Sequence, residues 1–212
     1  MPMDGALLYC LGRQTERLYQ DQRVEKIYQN SAGDVLLRFS MPRETPFLLL
    51  SAHPREGGIV PLSTIPENPL QPPLFAMVLR KHLGGARLRS VRQEGLDRIL
   101  HFEFIARDEL GDPATRTLIL EVMGKHSNLI LVDDHGIVID AVRKYNHLVS
   151  RHREILPGQA YILPPLPGPD RSSVRGGRGT LPTAGRPDPG RAGHPGGQIA
   201  LPDVQRTVPA DL

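Results

Sequence analysis

The chain opens on a helical stripe of apolar positions. Leu7, Leu8, Leu11 and Leu18 recur near a 3.6-residue period and Asp4 stands where an N-cap oxygen is wanted, which predicts an amphipathic helix over residues 5–19. Cys10 falls inside that helix and reads as a packed thiol. The period then shortens to two in "RVEKIYQ" and "DVLLRFS", two runs separated by turn chemistry around Asn30-Ser31-Ala32-Gly33, so a hairpin is expected. "PFLLLSAH" is an unbroken apolar run, the mark of a buried strand. A Pro-rich connector from Pro61 to Pro73 leads into a second helix. There Pro72 and Pro73 suit the first turn, Phe75, Val78, Leu79, His82 and Leu83 share a face, and Gly84-Gly85 supplies the stop.

Five short β-rich runs follow: "ARLRSVRQ", "RILHFEFIAR", "TRTLILEVM", "SNLILVDD" and "GIVIDAV", each bounded by Gly, Asp, Asn or Pro. Many strands with only two helices predict an α+β domain, an antiparallel sandwich or barrel. In the first of these runs strict alternation puts Arg87 and Arg89 on one face with Val91, and Leu88 and Ser90 on the other. The polarity of that strand is impure.

Composition divides the 212 residues into two unlike pieces. All Lys, Phe and Tyr lie before residue 166; residues 166–212 consist mainly of Gly, Pro, Arg, Ala, Thr and Asp. That tail lacks heptads, alternation and aromatic anchors, so it is expected to be disordered. Gly, Pro, Arg and Ala own the codons richest in G and C, which makes out-of-frame translation the expected origin of the tail; an Arg/Gly-rich RNA-binding tail is the competing reading. A domain over 1–165 and a tail over 166–212 is the expected organisation.

Charge refines the picture locally. The net charge of +3 is too small for a polycation, but Arg80 to Arg98 holds six Arg or Lys against Glu94 and Asp97. Arg forks match phosphate oxygens, so Arg80, Lys81, Arg87, Arg89 and Arg92 are candidate general phosphate contacts. A helix end complementing its dipole followed by a solvated strand is the alternative.

Other chemistry is thin. "MGKHS" lacks the first Gly and the Lys-Ser/Thr pair of a phosphate-binding loop, and His147 and His152 lack metal-binding partners. One cysteine excludes an internal disulfide. No catalytic residues, metal or cofactor are expected. Pro2, exposed by removal of Met1, is the kind of secondary amine that forms Schiff bases in formamidopyrimidine-type DNA glycosylases, but Met3 stands where those enzymes carry Glu. No basic-then-apolar leader and no run of the roughly 20 apolar residues needed for a membrane helix are seen, so a soluble cytoplasmic protein without membrane or small-molecule partners is expected.

The blocks "DGALLYCLGRQTERL", "LLLSAHP", "NPLQPPLFAMVLRKHLGGARL", "QEGLDRIL", "EVMGKHSNLILVD" and "LPGQAYILPP", in that order, resemble the N-terminal domain of the NFACT family of ribosome quality-control factors. The resemblance implies a fold like the N-terminal domain of formamidopyrimidine glycosylases. It also implies a non-enzymatic factor that binds the large ribosomal subunit with trapped peptidyl-tRNA and recruits alanyl-tRNA for untemplated alanine tailing. Fibronectin binding, suggested by an older family name, is an alternative. From the resemblance, Asp97 and Arg98 are the expected tRNA contacts, followed by Glu121, Met123, Lys125 and His126. Relatives continue into a helix-hairpin-helix, a coiled coil and an RNA-binding domain where this chain has its tail.

Overall fold

The computed structural model describes residues 3–41, 45–65, 72–108, 110–146 and 153–165, all within one unit, Met1–Gly168. Residues 166–212 lie outside the described residues, as do Pro2, His147 and His152.

Helix α1 (Gly5–Tyr19) starts where Asp4 caps it, its carboxylate accepting from the Leu7 N–H at 2.7 Å. The stripe it buries is Leu8, Gly12, Thr15 and Tyr19. Cys10, two residues and so about 200° round the helix from Leu8, is exposed, which corrects the expected packed thiol. Leu7 also faces outward for the same reason. Tyr19 closes the helix by donating its hydroxyl to the Thr45 and Phe47 carbonyls, both at 2.9 Å.

Strands β1 (Val24–Gln29), β2 (Val35–Phe39), β3 (Phe47–Ser51) and β4 (Gly58–Leu62) form an antiparallel meander in chain order. The expected hairpin turn joins β1 to β2, with Asn30 Oδ1 accepting from the Asp34 N–H at 2.8 Å and Gly33 at φ 92°. Strand β4 ends inside the segment read as connector: its last two residues, Pro61 and Leu62, fall there, and residues 58–60 precede it. Its Pro61 has no N–H to give a ladder, and an edge strand, which β4 is, can carry that loss.

Helix α2 (Leu74–Leu83) follows Pro73 and buries Phe75, Ala76, Leu79 and Leu83; it ends where the Gly84 N–H bonds to the Arg80 carbonyl and Gly85 turns at φ 80°. Strands β5 (Arg87–Gln93), β6 (Ile99–Arg107), β7 (Pro113–Glu121), β8 (Asn128–Val132) and β9 (Val138–Ala141) make a second antiparallel sheet, again in chain order. Neither sheet closes on itself. The barrel alternative gives way to two open sheets, four- and five-stranded, with two helices.

One face of each sheet builds the main core, where Leu37, Leu50, Phe102 and Leu118 meet Leu8, Tyr19, Phe75 and Leu79. The other face of the five-stranded sheet carries a smaller cluster of Ile99, Ile119, Ile130 and Val138. The segment around Ile155 and Tyr161 covers it, bridged to the sheet side at Tyr145–Ile155 and Ile137–Ala160.

Strand β5 departs from strict alternation. Leu88 pairs with Phe104 and Ser90 with Glu103, so Arg89 is an extra residue, a β-bulge. Leu88 and Val91 therefore both point inward although three residues apart, while Arg87, Arg89 and Arg92 all point out. The predicted sharing of a face by Arg87, Arg89 and Val91 is corrected by that single insertion. The outer edge of β5 is covered. The Val91 N–H donates to Glu16 Oε1 at 3.1 Å, and Leu88 exchanges backbone bonds with Asp21 and Gln22, so α1 and its exit lie along the strand.

Two consequences follow from this packing. Gly5 sits so close to the β5–β6 turn that a Cβ would come within 1.9 Å of the Leu96 carbonyl oxygen. Gly5→Ala should therefore destabilise the domain by about 1–3 kcal/mol, read from chemical denaturation; an unchanged midpoint would refute the close approach. His101, on the outer face of β6 and edge-on to Tyr161 at 6.3 Å, has its pKa lowered below 6.5. Burial is the main cause and Arg92 adds to it, against the Glu94 and Glu121 carboxylates. Because folding holds the ring neutral, this stability is present above the ordinary pKa and is lost as pH falls through it. Between about pH 7.5 and about pH 5.5 the melting temperature should fall more steeply in the unmodified chain than in His101→Gln. Equal slopes would remove His101 as the cause.

Candidate nucleic-acid interface

In an antiparallel sheet alternate connections fall at the same end. The β5–β6 turn (residues 94–98), the β7–β8 connection (residues 122–127) and the chain leaving β9 therefore gather at one end of the five-stranded sheet. The Val122 N–H donates to the Arg98 carbonyl at 2.8 Å and stitches the first two together. The β3–β4 turn of the other sheet joins them: a Cβ on Gly57 would stand 3.3 Å from Val122 Cγ1. The N-terminus of α1 abuts the same turn through Gly5.

Asp97 and Arg98 lie in the β5–β6 turn, which Gly95 makes at φ 55°. The turn is heavily tied. Glu94 N–H bonds to the Ile99 carbonyl, Asp97 N–H to the Glu94 carbonyl, and the Gln93 amide donates to both the Asp97 and Gly5 carbonyls at 2.7 and 2.8 Å. Asp97 Oδ1 accepts from the Arg98 N–H at 2.7 Å. That leaves Asp97 half-buried with its second oxygen outside this bond, and Arg98 exposed with no ion pair among the described residues. Because the pair occupies a turn and not a strand, both side chains are delivered to one end of the sheet.

Lys125 and His126 are exposed on a single 3₁₀ turn, Gly124–His126. Its underside is held by Ser127, whose hydroxyl accepts from the Met123 N–H at 2.9 Å, and by Arg143, which donates to the Ser127 and Lys125 carbonyls at 2.6 and 3.3 Å. Asn128, buried, accepts from the Leu129 and Arg143 N–H groups and so fixes the start of β8 against the exit of β9. Met123 is half-buried against the smaller apolar cluster.

Glu121 corrects the expectation of a direct RNA contact. It is wholly buried at the end of β7, and its carboxylate takes two bonds from the Arg153 guanidinium, one at 2.7 Å, and one from the Tyr161 hydroxyl at 2.8 Å. A carboxylate so committed has no oxygen to offer RNA from the surface; its effect on the site is through position. Burial and then the Glu121 charge push the Tyr161 hydroxyl far above its usual pKa, so it stays a donor. Arg153 and Tyr161 were not singled out in the sequence. Tyr161 stands in the "LPGQAYILPP" block, the only local signal for it.

The general phosphate candidates do not converge. Arg92 is near the turn end of β5, but Arg87 is five residues back along the strand, about 16 Å away at the opposite end of the sheet. Arg87 donates to the Asp21 carbonyl at 2.7 Å and Arg80 to the Ile27 carbonyl at 2.8 Å, while Lys81 sits on the last turn of α2 beside a cleft with Arg107 and Arg116. Arg89 and Arg92 bracket Glu103 at 3.1 and 3.2 Å. One continuous strip from Arg80 to Arg98 is therefore replaced by separate groups, and only Arg98 joins Lys125 and His126.

Comparison with known proteins identifies the family. A family model described as NFACT N-terminal and middle domains matches residues 4–175. The Rqc2 homolog RqcH of Bacillus subtilis (strain 168) is 37% identical over 166 residues, 78% of this chain and 29% of that protein. The ribosome quality control complex subunit NEMF of Homo sapiens is 34% identical over 123 residues, 57% of this chain and 10% of that protein. The solved N-terminal domain of the fibronectin-binding protein PavA from Streptococcus pneumoniae superposes with a TM-score of 0.72 at 38% identity, covering 76% of this chain and 62% of that one. The chain thus spans less than a third of the length of these curated relatives. With the family model matching most of its length and the fold shared at this identity, the chain belongs to the NFACT family.

Proposed function

We propose that this chain is the tRNA-engaging part of a ribosome quality-control factor, acting on an obstructed large ribosomal subunit that still carries peptidyl-tRNA and holding alanyl-tRNA there for untemplated alanine tailing. The ribosome makes the peptide bond, and this domain selects and positions the tRNA. The observation that carries the reading is the convergence of the Asp97-Arg98 turn and the Lys125-His126 turn at one end of the sheet, tied by the Val122–Arg98 bond. Arg98 would clamp a phosphate or base edge. Asp97 would accept from an exocyclic amine or a ribose hydroxyl of an exposed loop. Lys125 and His126 add cationic and stacking contacts, Met123 lines the floor, and Glu121 holds the floor in place. Arg89 and Arg92, each sharing Glu103, contribute a diffuse attraction to phosphate, as do Arg80, Lys81 and Arg87 from farther away.

A second reading is favoured by the similarity to PavA, a fibronectin-binding protein: the same surface would then hold an extracellular-matrix protein. Binding to immobilised fibronectin and to tRNA in the same buffer separates the two.

With labelled bacterial tRNA in an anisotropy titration, Arg98→Ala should weaken binding about tenfold and Asp97→Ala by a smaller factor. Undiminished affinity in both variants would sink the assignment. Lys125→Ala should reduce the slope of log affinity against log salt by about one, the signature of one lost phosphate contact; an unchanged slope would take Lys125 out of the interface.

A further inference from the structure

We propose that Leu96 is a base-packing contact, an apolar side chain held rigidly at the tip of the β5–β6 turn to receive the face of an unstacked nucleotide. The proposal rests on the tRNA reading above and adds to it the residue that reads base rather than phosphate. Leu96 is 77% exposed although its own backbone is not free: its carbonyl is wedged against Gly5, within 1.9 Å of where a Cβ there would lie. The residues on either side are tied by the bonds from Glu94, Asp97 and Gln93 and by Val122 to Arg98. The turn thus presents a large apolar group in one fixed place.

Its neighbours give that placement a chemical sense. Asp97, an acceptor, follows directly, and then Arg98, a cation without an ion pair among the described residues. An unstacked nucleotide offers complementary groups, an apolar ring face, exocyclic amines and a phosphate. Leu96 stands between the Glu94 and Asp97 carboxylates, and Arg98, directly after Asp97, is the cation that would meet the phosphate.

Preorganisation is what makes such a contact productive, since no loop need be ordered on binding. Because the side chain is exposed, its removal leaves the fold intact. The test uses the whole chain with labelled bacterial tRNA across a salt series, beside a fully paired RNA duplex of similar length. Leu96→Ala should weaken tRNA binding about fivefold with an unchanged salt slope and melting temperature, Leu96→Met should restore it, and duplex binding should not move. If Leu96→Ala binds tRNA as the unmodified chain does while Arg98→Ala is weakened, the Leu96 contact is lost and the tRNA reading stands. If neither variant is weakened, the tRNA reading falls and Leu96 with it. Equal loss on tRNA and duplex would also overturn the base contact.

Discussion

A carboxylate with no solvent exposure survives in a folded protein only when a cation and hydrogen-bond donors meet it, and Glu121 is such a group. Arg153 and Tyr161 answer it from the segment that covers the outer face of the five-stranded sheet. The bond set therefore does more than neutralise a charge. It pins residues 153–161 over Ile99, Ile119 and Ile130, and so closes the smaller core. It also fixes the end of β7, from which Val122 reaches Arg98 and Met123 begins the second turn. Removing one partner of a buried pair of this kind costs about 3–5 kcal/mol, far more than any exposed ion pair on this surface contributes.

From that anchored end the electrostatics divide in two. Arg98, Lys125 and His126 stand on two turns at the same end of the five-stranded sheet, tied by the Val122–Arg98 backbone bond. Arg87 and Lys81 lie a strand length away, and Arg89 and Arg92 share a carboxylate. Charges farther apart than a Debye length, about 8 Å in physiological salt, act on a ligand separately. Density along the chain was thus a poor guide to density in space.

What the sequence made legible was whatever a local rule decides. The Asp4 cap, the Asn30–Gly33 turn and the Gly84-Gly85 stop each need only neighbours in the chain, and all three stand where they were expected. Strand β4 was hidden because Pro61 reads as a breaker unless the strand is known to lie on an edge. Cys10 and Leu7 were misplaced because which of two overlapping apolar stripes faces inward depends on what the helix packs against. For Glu121 the period-two rule already set it on the face of Ile119, which is apolar. Its partners, 32 and 40 residues further along, belong to the tertiary structure and have no local trace. Asp97 and Arg98 were singled out through the family pattern alone, and the structure places both in the β5–β6 turn and not within a strand.

The bulge in β5 has a consequence for how this chain tolerates changes of length. Inside a strand, losing one residue normally slips the register and turns an entire face inside out. Arg89 has no partner of its own on β6, and the pairs on either side of it, Leu88 with Phe104 and Ser90 with Glu103, are consecutive on the partner strand. Excising Arg89 would leave Leu88 and Val91 facing the core and Arg87, Ser90 and Arg92 facing out in plain alternation. Strand β5 thus contains one position that pairing does not require, where the lineage could gain or lose a positive charge without rebuilding the sheet.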